Sequence, residues 1–313
     1  MTILVTGGAG FIGSSLVDRL LSVGHAVLAI DNYDDFYDRS IKEKNIQNAL
    51  YSASFKLIEG DIRNENLLSE LFRNYRIDLV THLAAKAGVR PSIKNPEIYF
   101  DVNVRGTLNI LEAMRKNNVR KLIFTSSSSV YGNNKKVPFS ESDIVDNPIS
   151  PYAASKKAGE LLCHTYHHLH GFDIFCLRLF TVYGPRQRPD LAIHKFAKLI
   201  MEGKPIPFFG DGSTERDYTY IEDIVDGIMR AIKNLKGYDI FNLGESKTIS
   251  LIELVHTLEK LLGKKAIIDY LPTQPGDVTK TYADISKTKQ LLGYNPSTII
   301  EEGIEKFINW LTK

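Results

Sequence analysis

Tyr152 and Lys156 stand one helical turn apart in the stretch PYAASK, so a helix beginning at Pro151 carries a phenol and an ammonium on one face. An ammonium beside a phenol favours the phenolate, and a tyrosine whose pKa is lowered in this way can act as a base near neutral pH. Upstream, SSSSVYG places hydroxyls at Ser126 to Ser129 where an apolar run ends. In an open α/β fold that is the carboxyl edge of the sheet, where ligands bind.

A third group lies near the N-terminus. Gly7, Gly10 and Gly13 follow the run Thr2 to Val5 and open a helical pattern, which lets backbone amides approach a pyrophosphate at a helix N-terminus. The next apolar run ends in Asp31, about 20 residues on, where a carboxylate accepts adenosine ribose hydroxyls. A carboxylate there repels a 2′-phosphate and favours NAD over NADP. Asn32 and Arg39 follow closely, and arginine is the residue type that accommodates the phosphate, so the residues alone leave NADP open. Asp61, closing a third strand as GDI, is placed to meet the adenine, or is an ordinary turn aspartate.

Strands and helices must alternate to bring these groups together. Thr2 to Val5, Ala26 to Ile30, Phe55 to Ile58, Leu79 to His82, Lys121 to Phe124 and Ile174 to Leu179 read as strands, apolar enough to be buried on both faces. Phe11 to Val23, Glu65 to Tyr75, Glu97 to Lys116 and Pro151 to His170 read as helices, with Gly24 and Gly171 as C-caps. This alternation predicts a parallel sheet with helices on both faces. From Tyr183 onward the texture changes to turn-dense loops, GPRQRPD and FFGDGSTERD. A helix near Ala192 to Glu202 and the amphipathic stretches Leu251 to Leu262 and Ile299 to Leu311 suggest a small α/β cap. KEKNIQ, Lys42 to Gln47, reads as a solvated helix face.

Composition narrows the function classes. The 313 residues are 43% hydrophobic, and 39 Lys and Arg face 37 Asp and Glu, a balance without the basic footprint of a nucleic-acid binder. No apolar run is long enough for a membrane span, and the start, MTILVTGG, lacks a charged leader, so a cytoplasmic location is expected. Cys163 and Cys176 sit in apolar segments without metal-ligand spacing and read as buried free thiols. His164 and His168, within CHTYHHLH, have the i, i+4 spacing of a helical metal pair, but no zincin glutamate separates them; a solvated or dimer-facing helix, with no metal, is the expectation.

TGGAGFIG, the acidic end of the second strand, HLAAKAGVR, SSSSVYG, PYAASK and RLFTVYGPRQRPD, in this order, resemble the extended short-chain dehydrogenase/reductase family over nearly the whole chain. Within it the chain is most similar to nucleotide-sugar 4-epimerases. The combination AGVR, FTVYGP-x-x-RPD and QPGDV-x-x-TYAD resembles that of UDP-glucuronate 4-epimerases. The resemblance implies a Rossmann-type doubly wound parallel sheet with a smaller C-terminal α/β substrate-binding domain. Residues 1–182, with a return near 212–245, would bind NAD, and 183–313 would mainly bind the UDP-sugar. It implies NAD contacts from Gly7, Gly10, Phe11, Ile12, Gly13, Asp31, Asn32, Asp61, Ile62, Leu83, Ala84, Ala85 and Lys86, with Tyr152 and Lys156 at the nicotinamide end. It also implies a homodimer built on the helices Glu97 to Lys116 and Pro151 to His170.

By the same resemblance, Tyr152 takes the proton of the sugar 4-hydroxyl while hydride leaves C4, and Ser127 hydrogen-bonds O4. Related 4,6-dehydratases resemble T-D-E at Ser127 to Ser129, and UDP-glucuronate decarboxylases carry Glu at the position of Ser129; this chain has neither acid. A uronate carboxylate wants several donors, for which Ser128, Ser129, Thr181, Arg90 and Arg188 are candidates. Thr181 is the discriminating position, since UDP-galactose 4-epimerases resemble F-N where this chain has Phe180-Thr181. Arg216 and Asp277 match family positions at the pyrophosphate and uridine ribose, with Lys195 and the backbone around Phe208 near uracil. Gln274 departs from the arginine of many galactose-type epimerases, and Lys86 and Pro91 are uncommon variants. The alternatives are a UDP-glucose/UDP-galactose 4-epimerase and a non-catalytic NAD-binding scaffold; Tyr152, Lys156 and Ser127 together favour the enzyme.

Overall fold

The computed structural model describes residues 1–273 and 278–313, so Gln274 and the ribose candidate Asp277 lie outside the described residues. Strands β1 (Thr2–Thr6), β2 (Ala26–Asp31), β3 (Phe55–Glu59), β4 (Leu79–His82), β5 (Lys121–Ser127) and β6 (Asp173–Leu179) match the predicted runs, most reaching a residue or more further. β7 (Thr181–Tyr183), β8 (Pro205–Phe209), β9 (Glu215–Arg216) and β10 (Tyr218–Tyr220) leave the main sheet, and β11 (Tyr238–Leu243) rejoins it. The seven-stranded sheet is parallel throughout, in the order β11-β6-β5-β4-β1-β2-β3. This is the Rossmann-type α/β architecture. β12 (Ile249–Ser250) pairs with β9, and β13 (Ile267–Leu271) pairs with β8 in the smaller C-terminal layer.

β1 explains why the sheet needs helices on both sides. Ile3 and Val5 enter one hydrophobic core, with Phe11, Leu16 and Leu20 of the Phe11–Ser22 helix. Leu4 points the other way, into a second core with Leu68, Ile110 and Cys163. All three residues of β1 are fully buried. Successive side chains of a strand face opposite sides, so a continuous apolar run stays in the sheet only if both faces are covered. Strand order reverses between β1 and β4, and the crevice at such a switch point opens at the carboxyl ends of the strands.

Two sequence expectations change, and one element is new. The predicted helix from Glu97 to Lys116 is Pro96–Phe100, a π-turn over Asp101–Arg105, and Gly106–Lys116. KEKNIQ belongs to the helix Arg39–Ile46, and only part of it is solvated: Lys42, Asn45 and Ile46 are buried while Glu43 and Lys44 are exposed. A short helix, Val89–Lys94, carries Arg90 and Pro91. Cys163 and Cys176 are both buried free thiols. Among the described residues, no helix is long and apolar enough to cross a membrane.

Candidate active site

A cavity of about 490 Å³ opens at the carboxyl ends of β1, β2, β4 and β5, and every cofactor candidate named from the sequence lines it. Its floor is the glycine loop. Gly7 has φ +70°, Gly10 donates its N–H to the Gly7 carbonyl at 3.2 Å, and a Cβ on Gly13 would lie 2.0 Å from that same oxygen. Only hydrogen fits at Gly13, so the backbone stays bare toward the cavity.

Asp31 does more than the sequence suggested. Its carboxylate accepts from the N–H of Ala9 at 3.0 Å and of Tyr33 at 2.9 Å, tying the glycine loop to the end of β2. A carboxylate offers about four lone-pair sites, so capacity remains for a ribose hydroxyl. Arg39 turns away from a phosphate role, because its guanidinium binds Glu59 through both nitrogens and Glu43 through Nε. Asp61 accepts from Asn32 Nδ2 at 2.9 Å and from Arg63. Burial alone would raise its carboxyl, but these hydrogen bonds hold it down at about 2.

Ser127 ends β5, and Ser150 caps the helix Pro151–His170 by accepting from the Ala153 N–H at 3.1 Å. Tyr152, Lys156 and Ser127 therefore line one cavity. Burial dominates the electrostatics of the pair. The Lys156 ammonium donates to the Thr125 carbonyl at 2.8 Å, and burial lowers its pKa to about 8. Burial raises the Tyr152 phenol, and the Ser127 hydroxyl and the Arg188 guanidinium pull it down.

Behind these groups runs a buried chain of hydrogen bonds. The Ala84 N–H donates to Thr6 Oγ1, whose hydroxyl lies 2.7 Å from His82 Nδ1; His82 Nε2 lies 3.0 Å from Thr107 Oγ1, which donates to the Asn103 carbonyl. Burial pushes His82 down to about 3, so the imidazole is neutral. The Asn103 side chain donates to Ser155 Oγ at 2.9 Å, and Ser155 donates to the Tyr152 carbonyl at 2.8 Å. Tyr99 packs edge-on against Tyr152 with ring centres 6.1 Å apart, its hydroxyl donating to the Ala87 carbonyl. These supports were missed from the sequence. Their signal was the spacing Tyr99, Asn103, Thr107, three hydrogen-bonding residues four apart in the predicted helix.

The substrate candidates divide. Ser128, Ser129, Thr181 and Arg188 line the cavity with Ser127, whose hydroxyl donates to Ser129 Oγ at 3.1 Å. Arg188 is braced by two bonds to Asp190, both 3.0 Å. Arg90, Lys195, Phe208 and Arg216 do not reach the cavity wall. Arg90 lies over the Phe209 ring, Lys195 is exposed, the Phe208 ring is buried against Tyr270, and Arg216 donates to the Glu215 carbonyl. Lys195, Phe208 and Arg216 belong to the later elements, and Arg90, on the helix after β4, turns toward Phe209 of β8. In the histidine run His164 and His168 are exposed, with His164 edge-on to Tyr238, and His167 Nδ1 meets the Phe172 carbonyl.

Residues 4–307 match the family described as GDP-mannose 4,6 dehydratase. A UDP-glucuronate 4-epimerase of Thermodesulfobacterium geofontis is 49% identical over 308 residues, covering 98% of this chain and 95% of that protein. Among solved structures, the UDP-glucuronic acid 4-epimerase of Bacillus cereus, in complex with UDP-glucuronic acid and NAD, has a TM-score of 0.94 at 41% identity, covering 100% of this chain and 99% of the other. The UDP-glucose 4-epimerase of Thermotoga maritima, with UDP-glucose, has a TM-score of 0.92 at 33% identity with the same coverage.

Proposed function

The chain belongs to the GDP-mannose 4,6 dehydratase family of extended short-chain dehydrogenase/reductase enzymes, and we propose that it is an NAD-dependent isomerase converting UDP-glucuronate to UDP-galacturonate through a transient 4-keto sugar. The observation that carries this reading is the convergence of Ser127, Tyr152 and Lys156 with the glycine loop on one cavity. That cavity fits a dinucleotide: the loop is bare where a Cβ on Gly13 would collide with backbone, and Asp31 keeps lone pairs toward it. NAD, when bound, supplies a reversible two-electron acceptor for the C4 hydride.

The side chains of this protein handle the proton. Tyr152 removes it from the 4-hydroxyl as the ketone forms and returns it after the keto sugar has presented its other face, so C4 inverts without net oxidation. Ser127 holds O4 through both half-reactions. Lys156, fixed by Thr125, is placed to hold a ribose hydroxyl and keeps its charge below about pH 8. Dehydration would need an added acid and base, which the hydroxyls of Ser128 and Ser129 do not provide near neutral pH.

Ser128, Ser129, Thr181 and Arg188 would hold the uronate carboxylate. A 4-keto uronic acid is a β-keto acid, and hydrogen bonds that keep its carboxylate out of alignment with the ketone protect it from losing carbon dioxide. Arg216 and Asp277, with Lys195 and the Phe208 backbone, would meet the UDP beyond the cavity. Residues 1–182 with the return near 212–245 would form the NAD-binding domain, a division supported by β11 rejoining the main sheet. Phe100, Leu108, Leu161 and Leu169 are exposed on the paired helices, which supports a homodimer. Cys163 and Cys176, buried as thiols, suit the reducing cytoplasm.

Proton NMR of the protein with NAD and either UDP-glucuronate or UDP-glucose tests the reading. UDP-galacturonate formed while UDP-glucose stays unchanged is the expected result; formation of UDP-galactose alone would transfer the function to the neutral sugar.

A further inference from the structure

Two charged side chains on the cavity wall are not used by the chemistry above. Lys86 Nζ lies 2.7 Å from one oxygen of Asp34 and 2.8 Å from the other, and the two side chains are only 18% and 28% exposed. Asp34 follows β2 and Lys86 follows β4, the two strands that flank β1 in the sheet. A bond between them passes over the carboxyl end of β1, where the glycine loop starts. The pair therefore bridges the groove in which a dinucleotide would lie.

Both banks of this bridge are fixed. The Lys86 N–H donates to Asn103 Oδ1 at 2.8 Å, and Asn103 Nδ2 donates back to the Lys86 carbonyl at 3.0 Å. The Asp34 N–H donates to Asn32 Oδ1 at 3.0 Å, its carboxylate accepts from the Phe36 N–H at 3.1 Å, and its carbonyl accepts from the buried Lys42 ammonium at 2.7 Å. Opening the bridge needs only rotation of the flexible Lys86 stem.

We propose that Lys86 and Asp34 form a latch that retains the dinucleotide while the keto sugar reorients. The inference rests on the NAD-dependent epimerase reading above. An enzyme that must return the same two electrons to its substrate loses the cycle if the reduced cofactor departs between half-reactions, so a slow cofactor off-rate has a direct chemical use. The latch acts on retention and takes no part in hydride or proton transfer.

The test is the dissociation rate of bound NADH, followed by loss of its fluorescence on stopped-flow mixing with excess NAD, for the wild type, Lys86→Met, Asp34→Asn and the exchanged pair Lys86→Asp with Asp34→Lys. Either single change should speed release roughly tenfold, as expected for a partly buried ion pair. The exchanged pair should return to within about threefold of the wild type. Faster release in Lys86→Met with unchanged or slower release in Asp34→Asn would overturn the latch and assign Lys86 to direct contact with the cofactor. Unchanged rates in both would overturn it as well. A wild-type chain that binds no NAD(H) would instead overturn the epimerase reading beneath it.

Discussion

The ammonium of Lys156, one turn along the helix from Tyr152, is bonded to the carbonyl of Thr125 at 2.8 Å. The two residues share a face, as their spacing dictates, yet the lysine is drawn down to the strand edge. Ser127 and Arg188 are the groups that pull the Tyr152 phenol down against burial.

Tyr152→Phe should therefore lower kcat by about 10² to 10⁴, the usual worth of a general acid–base group, while NAD content stays at the wild-type level. Ser127→Ala should lower kcat less, because Tyr152 remains. Steady-state kinetics alongside cofactor content checks both.

Lys156 carries its charge below about pH 8 and loses it above. Activity should decline as pH rises through that value, and affinity for NAD should weaken in parallel if the ammonium holds the ribose. A pH profile of NAD binding measured beside the rate profile separates this from titration of the substrate.

Thr181→Val removes a hydroxyl from the cavity wall and leaves the size unchanged. Loss of a hydrogen bond to a charged group costs about 1.5 to 3 kcal/mol, so kcat/KM for UDP-glucuronate should fall roughly 10- to 100-fold. A UDP-pentose by-product should rise with it, which NMR of the product mixture resolves.

Gly13→Ala places a methyl group 2.0 Å from the Gly7 carbonyl oxygen. Because the obstacle is backbone, the loop must move, at a cost of about 1 to 3 kcal/mol in stability and with loss of NAD binding. Thermal unfolding with and without NAD reads both effects, and the variant should show little stabilisation by the cofactor.

His82 is neutral in the fold, with its pKa pushed down to about 3 by burial from an ordinary 6.5. The unfolded chain binds the extra proton first as pH falls, so His82 draws stability away as pH drops below about 6.5. His82→Gln should flatten that part of the acid unfolding curve relative to the wild type.

Much of the site was legible because its signals are local. Glycine spacing, a carboxylate at a strand end and two residues one turn apart each follow from backbone geometry within a few residues. The continuous apolar runs placed six strands of the sheet, since burial on both faces leaves no other pattern. What stayed hidden depends on contacts between distant segments. Asp31 holds Ala9, Tyr99 packs against Tyr152, and Asn103, within the π-turn, reaches Ser155. Arg90 was named for its donor chemistry and Lys195, Phe208 and Arg216 for their match to family positions, and neither says which side chains turn toward this cavity.

β6 ends at Leu179, and from Thr181 the chain leaves the main sheet to pair as β7 with β10. The four residues proposed to hold the carboxylate come from both sides of that exit, Ser128 and Ser129 before it and Thr181 and Arg188 after it. On that reading a change of sugar has to be written on two separated stretches of the polypeptide at once, one of them beginning at the residue after Ser127.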